Sequence, residues 1–395
     1  MADAKPLIIV GASTRAAAQS AVRCGYAPWC IDQFGDSDLR EIADYVEVVL
    51  DWPDGIPGAL RNAPPGQLVY AGALENSPEL LDGLHDSPIH VAGICGRSLR
   101  LVRDPVWLQS QLADAGLPSL AVRRDLTPAD RTTRWLRKPL ESAAGFHIRE
   151  AVPPASAQSD TVYQQRVDGE SVSGLYLADG ETARLLGMCR QLHGESDAGA
   201  SGFLHCGSIG PLTLEDLPEE TFWLARSIGQ QIAARAQLAG VFGIDFIASN
   251  DGRTLWCIEL NPRWTASAEI IERARNWPLM SWHIQAAISE FHGGSTSVAS
   301  LPIDAETRPA VADRVSSWGR LIVYSPCAVT ITRELTDLET IASDQQMEVA
   351  DRPTTGTKID PGHPLCTLIT VSETVEACRQ KLLATARSLR CELAN

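Results

Sequence analysis

The chain has 395 residues, 44% of them apolar and 21% charged, with a formal net charge of −15. That length allows two or three domains with substantial cores, and no apolar run approaches the roughly 20 residues that span a membrane. The acidic balance and the lack of a basic block argue against nucleic acid as the main partner. The ten scattered cysteines form no Cys-x-x-Cys pair. They fit a reducing compartment without structural zinc. The opening MADAKPLIIVG enters a strand with no basic region, apolar core or cleavage site of a secretion signal, so a cytoplasmic location is expected.

Residues 6–100 alternate short apolar strands (LIIVG, PWCID, YVEVVL, QLVYAG, IHVAG) with helical stretches, which predicts a parallel α/β sheet. Gly11-Ala12-Ser13-Thr14-Arg15 follows a strand and opens a helix, so its N–H groups could hold an anion. Asp32 closes the second strand, where a dinucleotide fold places its ribose acid. Gly-x-Ser-x-x-Ala lacks two of the three fingerprint glycines, which disfavours a dehydrogenase. Gly11, Ser13, Arg15 and Asp32 are therefore candidate substrate contacts. A structural βα turn with a helix cap fits the same residues.

DPVWLQSQLADAGLPS reads as a linking helix, capped by Asp104 and Pro105 and ended at Gly116. TRWLRKPLESAAGFHIRE (133–150) is a strand ending at Lys138-Pro139 and a small-residue loop. TVYQQRVDGESVSGLYL (161–177) gives two strands around Asp168-Gly169; an exposed hairpin with a charged turn is the plainer alternative. Strands continue through 181–212 and include His193 and His205, for which a structural role is the simpler expectation. LEDLPEETFWLARSIGQQIAARAQLAG is an amphipathic helix with Phe222, Ala225, Ile228 and Ile232 on one face, expected to end at Gly240.

The stretch GVFGIDFIASNDGRTLWCIELNPR (240–263) reads as a hairpin turned at Asn250-Asp251-Gly252. Alternation puts Phe242, Ile244 and Phe246 on one face and Asp245 on the other. On the second strand Trp256, Ile258 and Leu260 share a face, leaving Glu259 and Asn261 opposite. If Asp245 and Glu259 lie across from one another, which an odd-length loop would permit, two carboxylates and an amide oxygen meet. Hard oxygen ligands of this kind suit Mg²⁺. A solvated polar face is the bland alternative for any one of these acids. After Arg263 come further helices, a Gly/Ser-rich break near 293–318, strands around GRLIVYSP and TGTKIDPGHPLCTLITV, and a terminal amphipathic helix.

The run apolar–Asp–apolar, hairpin, apolar–Glu–Leu–Asn–Pro–Arg resembles the magnesium hairpin of the ATP-grasp superfamily. The resemblance implies a mixed α/β and α+β chain. Its parts would be an N-terminal parallel α/β (pre-ATP-grasp) domain over 1–100, a two-lobed ATP-grasp domain over 101–300 (lobes about 120–170 and 171–300), and a small β-rich C-terminal domain over 301–395 with its terminal helix. It also implies ATP and Mg²⁺, or Mn²⁺ in its place, as cofactors, with Asp245, Glu259 and Asn261 as metal ligands. Lys138 would meet the α- and β-phosphates, and the loop with Ser142 and Gly145 would cover them, although that loop is poorer in glycine than is usual for the family. Gln164, Gln165, Arg166 and Val167 would form the adenine hinge. Asp168 or Glu170 would be the ribose acid, Arg103 a phosphate contact, and Arg263 the catalytic cation. The N-terminal domain would help hold substrate. The C-terminal domain would serve substrate or subunit contact, as in a homodimer.

The implied activity joins a small-molecule carboxylate to an amine through an acyl phosphate. The pattern is similar to that of ATP-grasp proteins linked to one-carbon carrier cofactors of the methanopterin and methanofuran type, where a glutamate is ligated. A bicarbonate-using carboxylase is the alternative within the class. A nucleotide-binding regulator without turnover is the alternative outside it, favoured by the glycine-poor loop.

Overall fold

The computed structural model describes residues 4–141, 144–292, 298, 301, 316–332 and 347–394. A five-stranded parallel sheet opens the chain, formed by β1 (Lys5–Gly11), β2 (Tyr26–Asp32), β3 (Tyr45–Val48), β4 (Gly66–Tyr70) and β5 (Ile89–Val91) in the order β3-β2-β1-β4-β5. The helices α1 (Arg15–Arg23), α2 (Ser37–Ile42), α3 (Ile56–Leu60) and α4 (Pro78–Asp82) connect these strands, and α5 (Gly96–Arg103) follows them. β1 reads as one apolar run because both its faces are covered: Ile8 and Val10 enter one core cluster, Leu7 and Ile9 the other.

Helix α6 (Pro105–Asp114) is held at its start by Asp104, whose carboxylate accepts the Val106 N–H at 2.9 Å. It leads into a small antiparallel sheet of β6 (Val122–Arg123), β7 (Trp135–Pro139), β8 (Arg149–Ala151) and β9 (Thr161–Gln165), in the order β6-β9-β7-β8.

The largest sheet contains β10 (Glu170–Asp179), β11 (Ala183–His193), β12 (His205–Gly210), β13 (Ala239–Ala248), β14 (Leu255–Asn261) and β15 (Ser317–Tyr324). Beyond these, β16 (Val329–Thr330) pairs with β18 (Lys358–Ile359), while β17 (Glu348–Ala350) and β19 (Pro364–Ser372) rejoin the large sheet. Its order is β14-β13-β10-β11-β12-β15-β19-β17. The longer strands of the expected C-terminal unit thus continue the sheet that carries the hairpin. Helices α7 (Glu219–Ala236), α8 (Ala266–Arg275), α9 (Leu279–His292) and α10 (Val375–Ala394) pack around these strands. Among the described residues no helix is long and apolar enough to cross a membrane.

The predicted apolar face of α7 is buried, with Phe222, Ala225, Ile228 and Ile232 all at 5% exposure or less. The helix stops at Ala236, however, where Gln237 adopts left-handed backbone at φ 52°. Gly240 lies inside β13 at φ +95°, and a Cβ there would sit 2.8 Å from the His283 ring. The glycine therefore clears space for a core histidine rather than capping a helix. His283 Nδ1 accepts the Val241 N–H at 2.7 Å, and Nε2–H donates to the Ala92 carbonyl at 2.9 Å.

The bond from Val241 needs the neutral ring, and burial pushes its pKa down to about 4 against the opposing pull of the Ala92 carbonyl. An unfolded histidine titrates near 6.5, so the unfolded state binds the extra proton between the two values. The contribution to stability is complete above about pH 6.5 and is lost as pH falls toward 4. Between pH 7 and 5 it should remove about 2 kcal/mol of unfolding free energy. Urea titrations at both pH values should show a shallower dependence in His283→Gln than in the parent. Equal slopes would clear His283 of that role.

Candidate active site

The hairpin meets the register that the metal reading requires. Gly243 pairs with Asn261, Ile244 with Leu260 and Asp245 with Glu259, all antiparallel. The turn is fixed by Asp251, which accepts from Ser249 Oγ at 2.6 Å and from the Arg253 N–H at 3.1 Å. Beyond Asp245 the register shifts, so that Phe246 pairs with Cys257 and Ile258 is left over. This β-bulge corrects the expected facing of β14. Leu255, Cys257 and Leu260 are buried, whereas Trp256 and Ile258 are half-buried. The extra residue, rather than an odd loop, brings the two carboxylates level.

Asp245 Oδ2 accepts from the Asn261 amide at 2.8 Å and Oδ1 from Gln191 at 3.3 Å. Burial and the charge of Glu259 push the Asp245 carboxyl up to about 6. Glu259 is also raised by burial, but Lys138 and Arg103 outweigh that and hold it below the usual carboxylate range. A divalent cation between the two acids would relieve both the burial and the repulsion. Among the described residues no set of three His, Cys, Asp or Glu side chains gathers. Two carboxylates with an amide oxygen suffice for Mg²⁺, which fills its remaining positions with water and phosphate oxygens.

Asp245, Glu259 and Asn261 line a cleft of about 530 Å³ between the small sheet and the large one. Lys138, at the end of β7, also lines it and donates to Gln164 Oε1 at 3.2 Å and the Ile258 carbonyl at 3.3 Å. The bulged residue thus presents its carbonyl to the cleft lysine. Ser142 lies outside the described residues. Gly145 is at φ +78°, and a Cβ there would come within 2.0 Å of the Phe203 carbonyl oxygen. The single glycine of this loop is where backbone packs directly on backbone. Ala144 accepts the His205 N–H at 2.9 Å and ties the loop to the start of β12.

Gln164, Gln165, Arg166, Val167 and Asp168 line the same cleft where β9 passes into β10. Asp168 is held by Arg134 at 2.9 Å on an exposed edge, while Glu170 is ion-paired to Arg190 and does not line the cleft. Of the two ribose candidates, Asp168 alone faces the space. Arg103 does not line it either. Its guanidinium donates to Glu259 at 2.8 Å and to Asn76 at 2.9 Å, next to the carboxylates rather than in the open cleft.

The structure does not bring Gly11, Ser13, Arg15 and Asp32 to the cleft; their neighbour Ala12 lines it instead. Asp32 is itself the anion at the start of α1, accepting from the Thr14 N–H at 2.7 Å and from the Gly35 N–H at 2.7 Å. Arg15, 1% exposed, is ion-paired to Glu269 at 2.5 Å and to Asp351 at 2.8 Å. It ties α1 to α8 and to the C-terminal strands, because a buried guanidinium persists only with carboxylates around it.

Several cleft residues carry no signal in the sequence. Gly72, Ala73 and Glu75 follow β4, and Ser173, Gln191 and Thr265 come from the large sheet and the start of α8. His193 and His205 also line the cleft, with their rings 5.3 Å apart. Burial lowers His205 to about 3, so it is neutral there. Arg263 stands where β14 ends, joined to Glu75 at 2.6 Å and to Asn261 Oδ1 at 3.2 Å. A second cavity of about 560 Å³, beside Leu81, Ile89 and Ile288, is mostly apolar and shares no residue with the cleft.

Residues 106–267 match the family model described as an ATP-grasp domain. An N5-carboxyaminoimidazole ribonucleotide synthetase in complex with ADP superposes at a TM-score of 0.68 with 14% identity, covering 98% of each chain. The biotin carboxylase domain dimer of Hydrogenobacter thermophilus 2-oxoglutarate carboxylase, bound to MgADP, ADP and bicarbonate, gives 0.68 and 14%, covering 95% of this chain and 88% of that one. An L-amino acid ligase from Bacillus licheniformis gives 0.66 and 15%, covering 99% and 97%. Residues 106–267 thus match an ATP-grasp domain, and the chain shares its fold with these solved structures along nearly its whole length.

Proposed function

We propose that the protein is an ATP- and Mg²⁺-dependent carboxylate–amine ligase. The observation that carries this reading is the single cleft in which Asp245 opposes Glu259 beside Asn261, with Lys138 and Arg263 on its walls. Asp245, Glu259 and Asn261 would hold the metal, whose charge would offset that on the β- and γ-phosphate oxygens. Lys138 would neutralise α- and β-phosphate charge, and residues 164–168 would receive the base and ribose. A substrate carboxylate oxygen attacks the γ-phosphorus, the bond to the β-phosphate oxygen breaks, and ADP leaves. An amine then attacks the acyl carbon of the acyl phosphate, expelling phosphate and losing a proton. Phosphoryl transfer of this kind needs positioning and charge neutralisation above all.

The finer form of the proposal is ligation of a glutamate to a small amine of one-carbon carrier cofactor assembly, and its support is the sequence resemblance. Bicarbonate as the activated acid is a second reading, favoured by the fold shared with a bicarbonate-bound carboxylase domain. ADP release measured with candidate acid and amine pairs, against bicarbonate alone, separates the two. Mg²⁺-dependent release only with both an acid and an amine is expected; release with bicarbonate alone selects the carboxylase, and none under any condition leaves a regulator. In the same cleft, Lys138→Ala is expected to raise the Kd for ATP by about tenfold or more while shifting the unfolding midpoint little, since a partly exposed cation contributes little to the core. Equal ATP binding by variant and parent in calorimetry would remove Lys138 from the site.

A further inference from the structure

Glu75 lies after β4, on the N-terminal unit. It is 3% exposed and lines the cleft with Arg263. Its Oε1 accepts from Arg263 Nε at 2.6 Å, but Oε2 is buried with no hydrogen-bond partner in the protein. A buried acceptor left unpaired is costly, and native folds keep such groups where something else satisfies them. The loop that presents it is strained, with Ala73 at φ 83°. Strain of this kind persists only where the surrounding structure over-determines the backbone, and it clusters at ligand-binding sites. Thr265 Oγ1, also on the cleft wall, is likewise buried and unpartnered.

Charge narrows what can satisfy Glu75. A guanidinium has five N–H donors. Arg263 directs one to Glu75, one to Asn261 Oδ1 at 3.2 Å and one to the Trp264 carbonyl at 3.3 Å, which leaves a spare donor on each terminal nitrogen. A lone carboxylate at those donors would set its oxygens against the spare oxygen of Glu75, acceptor against acceptor. A molecule with a protonated amine beside its carboxylate answers both groups, and being net neutral it adds no uncompensated charge to a buried pair. A Cβ on Gly72 would touch the guanidinium at 3.7 Å, so the glycine leaves that face bare.

We propose that Glu75 and Arg263 form a zwitterion-recognising subsite and that the carboxylate substrate is an α-amino acid, its ammonium donating to Glu75 Oε2 and its carboxylate accepting from Arg263. The fate of that carboxylate rests on the ligase reading above; its binding does not.

The test is calorimetric binding to the full chain in the presence of MgADP, using the twenty proteinogenic L-amino acids and the des-amino acid that corresponds to each. At least one amino acid should bind tenfold or more tightly than its des-amino counterpart. Glu75→Gln should reduce that ratio to below about threefold while changing the Kd for MgADP less than about twofold. Equal binding of amino and des-amino acids, a ratio unchanged in the folded variant, or no amino acid bound at all each overturns the proposal. The comparison on the parent protein decides even if the variant does not fold. A bound amino acid that supports no Mg²⁺-dependent ADP formation with any amine would sink the ligase reading and leave the subsite standing. Turnover with acids that lack an ammonium would do the reverse.

Discussion

Glu259→Gln is expected to leave the fold nearly intact and to lower Mg²⁺-dependent ATP turnover by at least about 10²-fold. The substitution keeps shape and one oxygen but removes an anionic ligand, and even outer-shell changes at metal sites cost 10–100-fold. Its effect on stability is small by comparison. Glu259 is one-third exposed and bonded to Arg103 at 2.8 Å, so losing that pair costs less than about 1 kcal/mol, partly offset by relief of Asp245. Without the Glu259 charge Asp245 should titrate below its present value of about 6, since that charge is among the causes holding it up. Turnover measured against Mg²⁺ concentration decides the matter: a variant that works near the parent's rate at low Mg²⁺ removes Glu259 from the metal site.

Legibility in the sequence followed the range of the interactions involved. Asp245, Glu259 and Asn261 could be found because a two-residue period and a turn signal act over a few residues. The facing of Trp256 and Ile258 could not, since the bulge that sets it depends on how β13 and β14 pair. The five parallel strands announced themselves as apolar runs, whereas the sharing of one sheet by β12, β15 and β19 is a long-range pairing with no local mark. Arg15 and Asp32 looked like ligand contacts because a βα turn has the same sequence whether its anion is a ligand or the protein's own carboxylate. Glu75 carried no signal, being 188 residues from the arginine it meets.

Arg263→Lys is expected to lower kcat by about 10²-fold or more with little change in ATP affinity, the pattern of a group that binds most tightly in the transition state. Lysine keeps the charge but not the planar fork, so it cannot hold Glu75 and Asn261 while still offering two donors to a phosphoryl or carboxylate group. Those same contacts supply a rival account, because Arg263 touches Asn261 and could act by setting a metal ligand. The dependence on Mg²⁺ separates the two. If raising Mg²⁺ restores the rate, Arg263 is a positioning residue for Asn261. If kcat stays low at saturating Mg²⁺ while the folded fraction is normal, the lost interaction was with the transferring group. A third outcome, full specific activity with a stability loss of about 1 kcal/mol, would make the Glu75 pair purely structural. The ligase reading would then lack its main catalytic cation, and the amino-acid subsite would lose one of its two halves.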